Sequence, residues 1–244
     1  VYFRVKSFPE YGKLSHKNID ELQSGLRELK VSGENDKEAS YDFVLWKPKK
    51  EGEPYWESPW SDGRPGWHIE CSVMSNRYLG NTIDIHAGGQ DLQFPHHENE
   101  IAQSECRNGH TFARYWMHNG YINVDGEKMS KSLGNFFTVR DISNKYDLGL
   151  VRFFLLATQY RNPVNFSDTV LEQAKAGLER LTNARDNAEF ILGNLADSSL
   201  RDEEKDMVAG LDKYRERFIE AMDDDLNTAD AISVIFELAK FMNT

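Results

Sequence analysis

"TIDIHAGGQDLQFPHHENEIAQSECRNG" (Thr82–Gly109) sets a β-branched strand, a glycine turn and a helix end to end. Pro95 suits a first helical turn, where its missing N–H costs nothing, and Gly109 suits the helix end. Immediately upstream, "WHIECSVMSNRYLG" (Trp67–Gly80) predicts a helix that carries Ile69, Met74 and Leu79 and stops at Gly80. Downstream, "ARYWMHNGYINVDG" (Ala113–Gly126) reads as strand, turn, strand. This alternation of strand, turn and helix predicts an α/β layer built on a parallel sheet.

Outward from that centre the texture changes on both sides. Residues 1–66 are irregular: a strand-like "VYFRV", a polar stretch over Ser32–Ser40, then the run Tyr41–Trp67 with four prolines and four tryptophans. Such a run fits neither a helix nor a central strand and predicts an ordered segment laid on a core, or the rim of a site. After Asp168, residues Leu171, Ala174, Leu178, Leu181, Ala188 and Leu192 recur at helical spacing. A polar break over Gly193–Asp206 and a second helical stretch over Met207–Met222 follow, and Asn227 or Thr228 can cap a last helix. The expected division is 1–66, 67–166 and 167–244.

The chain has 244 residues, 40 acidic and 29 basic, for a formal net charge of −11. That balance argues against nonspecific binding to long nucleic acid, which needs broad basic surfaces, but leaves room for a small positive patch. No apolar run approaches a membrane span, and the two cysteines, Cys71 and Cys106, read as thiols of a reducing compartment, the cytoplasm. The start at Val1, without a methionine or a leader, reads as a piece of a longer protein.

Three groupings can carry chemistry. His96 and Glu100 are four apart, so a helix puts them on one face, and with Cys71 they make a set that Zn²⁺ accepts. The same residues also suit a polar helix face beside a buried cysteine, and His97 is a rival ligand about 100° round the helix from His96. In "DIHAGGQD", His86 and Asp91 project from the rim of a glycine turn, where Asp91 can pair with an ammonium group or cap the following helix. In "EKMSKSLGN" (Glu127–Asn135), Lys128 and Lys131 sit in a flexible, small-residue loop with Ser130 and Ser132. Two neighbouring ammonium groups suit phosphate oxygens, although a solvated turn would look the same.

"KMSKS" at Lys128–Ser132 resembles the signature loop of class I aminoacyl-tRNA synthetases. "GWHIECS" (Gly66–Ser72), "DIHAGGQDLQFPHHENEIAQSE" (Asp84–Glu105), "EKMSKSLGNFFTVRD" (Glu127–Asp141) and "FIEAMDDDLNTADA" (Phe218–Ala231) resemble, in order, stretches of cysteinyl-tRNA synthetases. The resemblance implies the second half of a Rossmann-type catalytic domain followed by an α-helical domain. It implies activation of cysteine with ATP and transfer to tRNA(Cys), with a Zn²⁺ ion that binds the substrate thiolate. Cys71, His96 and Glu100 would be three of the zinc ligands, Trp67 would line the cysteine pocket, His86 would sit near the thiol and Asp91 would take the α-ammonium. Lys128 and Lys131 would stabilise the phosphates, with Ser130 and Ser132 adding donors and Mg²⁺ accompanying the ATP.

The family's fourth zinc ligand, a cysteine, and its "HIGH" tetrapeptide belong to an N-terminal half that these 244 residues do not contain. The expectation is therefore a fragment inactive alone. The family pattern "DIHGGG" reads "DIHAGG" here, with Ala87 as a tolerated variant. The competing expectations are the cysteine ligase of mycothiol synthesis, which would need no tRNA, and a non-catalytic zinc or RNA-binding module.

Overall fold

The computed structural model describes residues 1–18, 37–194, 199 and 201–243, so most of the polar stretch expected over Ser32–Ser40 lies outside the described residues. The chain forms two compact units, Val1–His118 and Asn119–Thr244. No helix among the described residues is long and apolar enough to cross a membrane.

In the first unit, β1 (Tyr2–Phe3) pairs antiparallel with β2 (Phe43–Val44), and β3 (Trp46–Pro48) pairs antiparallel with β4 (Gly63–Pro65). Helix α1 (Trp67–Leu79) ends at Gly80, and β5 (Ile83–Gly89) leads through the short turn α2 (Gln90–Leu92) into α3 (Glu98–Asn108). Phe94 is extended, as the residue before a proline prefers, and it kinks the path between α2 and α3. Gly109 closes α3 in the left-handed conformation, where the absence of Cβ removes the steric penalty. Strand β6 (Ala113–Asn119) then pairs with β5. The central strand, helix and strand thus follow the sequence expectation.

The buried core of this unit joins Val5, Phe8, Tyr11 and Phe43 to Ile83, Ile101, Ala102, Phe112 and Ala113. Residues of 1–66 thus share this core, and Phe43 joins the Tyr41–Trp67 run to it. Helix α1 forms and stops at Gly80 as expected, but Met74 and Leu79 do not lie on its buried face. Met74 and Leu79 are 52% and 68% exposed, while Ser72 is buried. The reason is that α1 packs on α3 through the face that carries Cys71, and α3 there is polar: Glu98, Asn99 and Glu100 are each at most 1% exposed.

In the second unit, β7 (Ile122–Val124) is the middle strand of three, antiparallel to β8 (Glu127–Lys128) and parallel to β9 (Val164–Phe166). Two short helices fill the crossover. Thr138 and Asp141 cap α4 (Val139–Ser143) reciprocally, and Asp147 caps α5 (Leu148–Leu156) through the N–H groups of Gly149 and Leu150. Leu150, Phe154 and Leu171 form the core against Val164 and Phe166.

Helix α6 (Asp168–Asn194) is the long helix that the leucine and alanine spacing predicts, with Leu171 and Ala184 buried. The expected polar break is shorter than Gly193–Asp206: α6 runs to Asn194 and α7 (Asp202–Ala209) starts inside it, while 195–198 and 200 lie outside the described residues. The helical stretch expected over Met207–Met222 is helical on both sides of a break at Gly210, after which α8 (Asp212–Asp223) begins. Glycine is a poor helix-interior residue and a common place to stop. Asn227 caps α9 (Thr228–Met242) by accepting from the Asp230 N–H, as expected, and α9 packs on both α8 and α6.

Candidate functional site

The contact between α1 and α3 turns Cys71 toward His96 and Glu100. One ligand atom from each, a thiol sulfur, a ring nitrogen and a carboxylate oxygen, lies within 4.8 Å of the other two. His96 Nε2 is 2.7 Å from Glu100 Oε1, the contact that a spacing of four predicts on a helix. Its Nδ1 is 2.8 Å from His68 Nδ1, so one ring must donate and the other accept, and their tautomers are tied together. Trp67 stacks on His96 with ring centroids 4.2 Å apart. His86 Nε2 reaches the other carboxylate oxygen, Glu100 Oε2, at 2.7 Å. Trp67 and His86 thus join the set that the spacing identifies.

The electrostatics follow from burial and from those neighbours. Burial alone would raise the Glu100 carboxyl, but the contacts from His86 and His96 outweigh it and hold the group at about 2. Burial, reinforced by the Glu100 carboxylate, pushes the Cys71 thiol up to about 11. Burial, with His96 adding to it, brings His68 down to about 4; burial does the same to His97 against the attraction of Glu100. A neutral thiol therefore faces an ionised carboxylate. A divalent cation between them inverts this balance by stabilising the thiolate. The donor set of thiolate, imidazole and carboxylate fits a borderline ion of the Zn²⁺ type.

Asp91 is exposed on α2, beside Gly89. The three turn positions differ in kind. Ala87 lies within β5 with an exposed side chain. A Cβ on Gly88 would come within 2.9 Å of His97 Cε1 and 3.1 Å of its Nε2, whereas a Cβ on Gly89 would meet only the Asp91 carboxylate.

In the second unit, β7 and β8 present the lysine loop. Lys128 Nζ sits 3.8 Å from the centre of the Tyr121 ring, a cation–π contact. Asn135 braces the loop from inside: its Oδ1 accepts from the Ser130 N–H at 2.8 Å and its Nδ2 donates to the Lys128 carbonyl at 3.3 Å. The Ser130 and Ser132 hydroxyls are 3.1 Å apart, and Lys131 opens the short turn Lys131–Leu133.

Four side chains escaped the sequence reading. His68 lies three residues before Cys71, so helical spacing was an available signal for it. Asn135 and Glu98 gave none, because each acts on backbone groups that only folding brings near. Glu98 accepts from the N–H groups of Gly12, Leu14 and Ser15, and ties the N-terminal loop to α3. His118, whose Nε2 stands 2.8 Å from His97 Nδ1, comes from a strand that the sequence leaves unconnected to α3.

Residues 1–176 match the family described as tRNA synthetases class I (C) catalytic domain. The chain belongs to that family. Residues 217–244 of this class I synthetase chain match the DALR domain. The whole chain is 65% identical over 244 residues to a cysteine–tRNA ligase of Clostridioides difficile and covers 52% of it; one of Lachnospira eligens is 62% identical over 248 residues, with 52% covered. The chain thus spans about half the length of the curated relatives it matches. Among solved structures, the Agrobacterium radiobacter LeuRS–tRNA–LeuAMS ternary complex aligns with a TM-score of 0.59 at 15% identity, over 78% of this chain and 28% of that one. The Mycobacterium tuberculosis methionyl-tRNA synthetase with methionyl-adenylate aligns with a TM-score of 0.52 at 22% identity, over 66% and 33%. With the family match over residues 1–176, these two likenesses bear out the Rossmann-like class I fold.

Proposed function

We propose that this chain is part of a cysteine–tRNA ligase that activates cysteine with ATP and passes it to tRNA(Cys) in the cytoplasm. The observation that carries the reading is the convergence of Cys71, His96 and Glu100 within 4.8 Å. These three would hold a Zn²⁺ ion, which when bound supplies a Lewis-acidic centre for a thiolate. Serine is then rejected because its hydroxyl, still protonated at neutral pH, is a far poorer ligand than a thiolate. Trp67 holds the His96 ring in place by stacking, and His68 sets its tautomer from the far side. His86, on Glu100 Oε2, would face the thiol, and Asp91 would pair with the α-ammonium.

Lys128 and Lys131 would supply positive charge to the ATP phosphates, with Ser130 and Ser132 as further donors and Mg²⁺ entering with the nucleotide. The tyrosine ring under Lys128 and the Asn135 brace support that role, since both fix the direction of the loop. The reading divides the chain into a connective segment 1–66, a catalytic half 67–166 and a helical domain 167–244. Cysteine-dependent exchange of pyrophosphate into ATP, followed by charging of tRNA(Cys), tests it on the full-length protein. Exchange that is absent, or that serine supports as well as cysteine, overturns the assignment.

A further inference from the structure

Glu100 has two oxygens, and the set containing Cys71 needs one of them. The other, Oε2, stands 2.7 Å from His86 Nε2, and a ring nitrogen of His97 completes a second group of three ligand atoms within 4.8 Å of one another. His97 is 2% exposed and Glu100 is fully buried. Neither Glu100 oxygen has a well-aligned hydrogen-bond partner, although an imidazole nitrogen stands close to each. Close approach without alignment is what ligands directed at a common point present, rather than an N–H directed at an oxygen.

The surroundings match. His97 Nδ1 is engaged by His118 Nε2 at 2.8 Å, which leaves Nε2 as the ring nitrogen available for binding. A ligating imidazole commonly has its other nitrogen held in this way, which fixes tautomer and orientation. Gly88 keeps the space beside Nε2 open, since any Cβ there would lie 3.1 Å from that atom. The Trp116 ring walls the place, 4.8 Å from the His86 ring and 5.2 Å from that of His97.

We propose that His86, His97 and Glu100 form a second divalent-cation position, made of nitrogen and oxygen only, that adjoins the thiol-containing set and shares Glu100 with it. The carboxylate bridges, with Oε1 on the Cys71 side and Oε2 on the His86 side, so two ions can be held at once, about 3.5–4 Å apart as in other carboxylate-bridged pairs. The His86–Glu100 contact needs to open only from 2.7 Å to about 3.3 Å to serve one tetrahedral ion at ordinary ligand distances. Two imidazoles and one carboxylate leave coordination sites for water and suit Co²⁺, Ni²⁺ or Zn²⁺; softer Cd²⁺ is drawn to the Cys71 set. The position does not depend on the ligase reading.

The test is titration of the intact, metal-stripped protein with Co²⁺ and with Cd²⁺, followed by absorbance and by equilibrium dialysis. Wild type binds a thiolate-linked ion, with sulfur-to-metal charge-transfer absorption, and a second ion that adds Co²⁺ ligand-field bands without it. C71S loses the charge-transfer band and keeps the second set of bands. H97Q and the milder H86N do the reverse, and weaken the second ion at least tenfold. Circular dichroism establishes that each variant is folded, and H86N serves if H97Q is not. Two results overturn the proposal: saturation at one ion with C71S abolishing all binding, or ligand-field bands unchanged in H86N.

Discussion

Replacing Glu98 by glutamine removes one charge and one acceptor from a fully buried site, and the structure sets the size of the effect. Glu98 Oε1 accepts from Leu14 N at 2.7 Å and Ser15 N at 2.6 Å, and Oε2 accepts from Gly12 N at 2.9 Å. Glutamine keeps a single oxygen, which can serve Leu14 and Ser15 as a neutral acceptor. Charge-assisted bonds exceed neutral ones by about 1 kcal/mol each, so these two part-buried bonds lose about 2 kcal/mol together. The amide NH₂ then faces the buried Gly12 N–H, donor against donor, and leaving that group unsatisfied costs about 1–3 kcal/mol. E98Q should therefore destabilise the protein by about 3–5 kcal/mol, equivalent to a fall of about 2 M in the urea midpoint for a slope of about 2 kcal/mol/M. Tryptophan fluorescence follows the unfolding, and amide exchange at Gly12, Leu14 and Ser15 locates the loss. A midpoint within about 0.3 M of wild type would refute the claim that this carboxylate anchors the N-terminal loop.

Metal binding should release a proton, because the Cys71 thiol stays protonated up to about 11 in the metal-free protein. Apparent affinity at the Cys71 set should therefore rise about tenfold per pH unit below that value, while Glu100, ionised down to about 2, contributes no slope near neutrality. Calorimetry in buffers of different ionisation enthalpy measures the proton directly. H68A should weaken Co²⁺ at that set by about 10–100-fold, and H68N should recover part of the loss by restoring a partner to His96 Nδ1. In the second unit, G120A should lower stability by about 1–3 kcal/mol or more, since the added methyl would sit 2.4 Å from the Asn162 carbonyl carbon and oxygen. Differential scanning calorimetry reads that change; an unaltered transition would mean that the loop yields freely.

What the sequence revealed was whatever repeats or punctuates locally. The strand over Ile83–Gly89 is β-branched and ends in glycines, α6 carries its leucines at helical spacing, and Gly80 and Gly109 stop helices where they fall. His96 and Glu100 were legible together because four residues of helix fix their relation. Cys71 could be grouped with them by ligand chemistry and by resemblance but not by geometry, since 25 residues separate it from His96 and nothing local records that α1 lies on α3. The exposure of Met74 and Leu79 was hidden for the same reason: the buried face of α1 is chosen by a polar partner helix, not by its own hydrophobic residues. Glu98 is the clearest such case, as a charged side chain becomes a buried anchor solely because a loop 84 residues earlier turns its amides toward it.

The turn after β5 also bears on how freely such chains can vary. The cysteinyl-tRNA synthetase pattern that this stretch resembles has three glycines, and this chain has alanine in place of the first. Ala87 has an exposed side chain on an extended strand, so substitution there should cost little within this chain. Gly89 has only the exposed Asp91 carboxylate beside it, the far end of a side chain that can change rotamer. Gly88 has less latitude, because a Cβ there would crowd the buried His97 ring at 2.9 Å and Leu92 Cδ1 at 3.0 Å. Random substitution at this tripeptide should thus accumulate first at 87, then at 89, and be purged at 88.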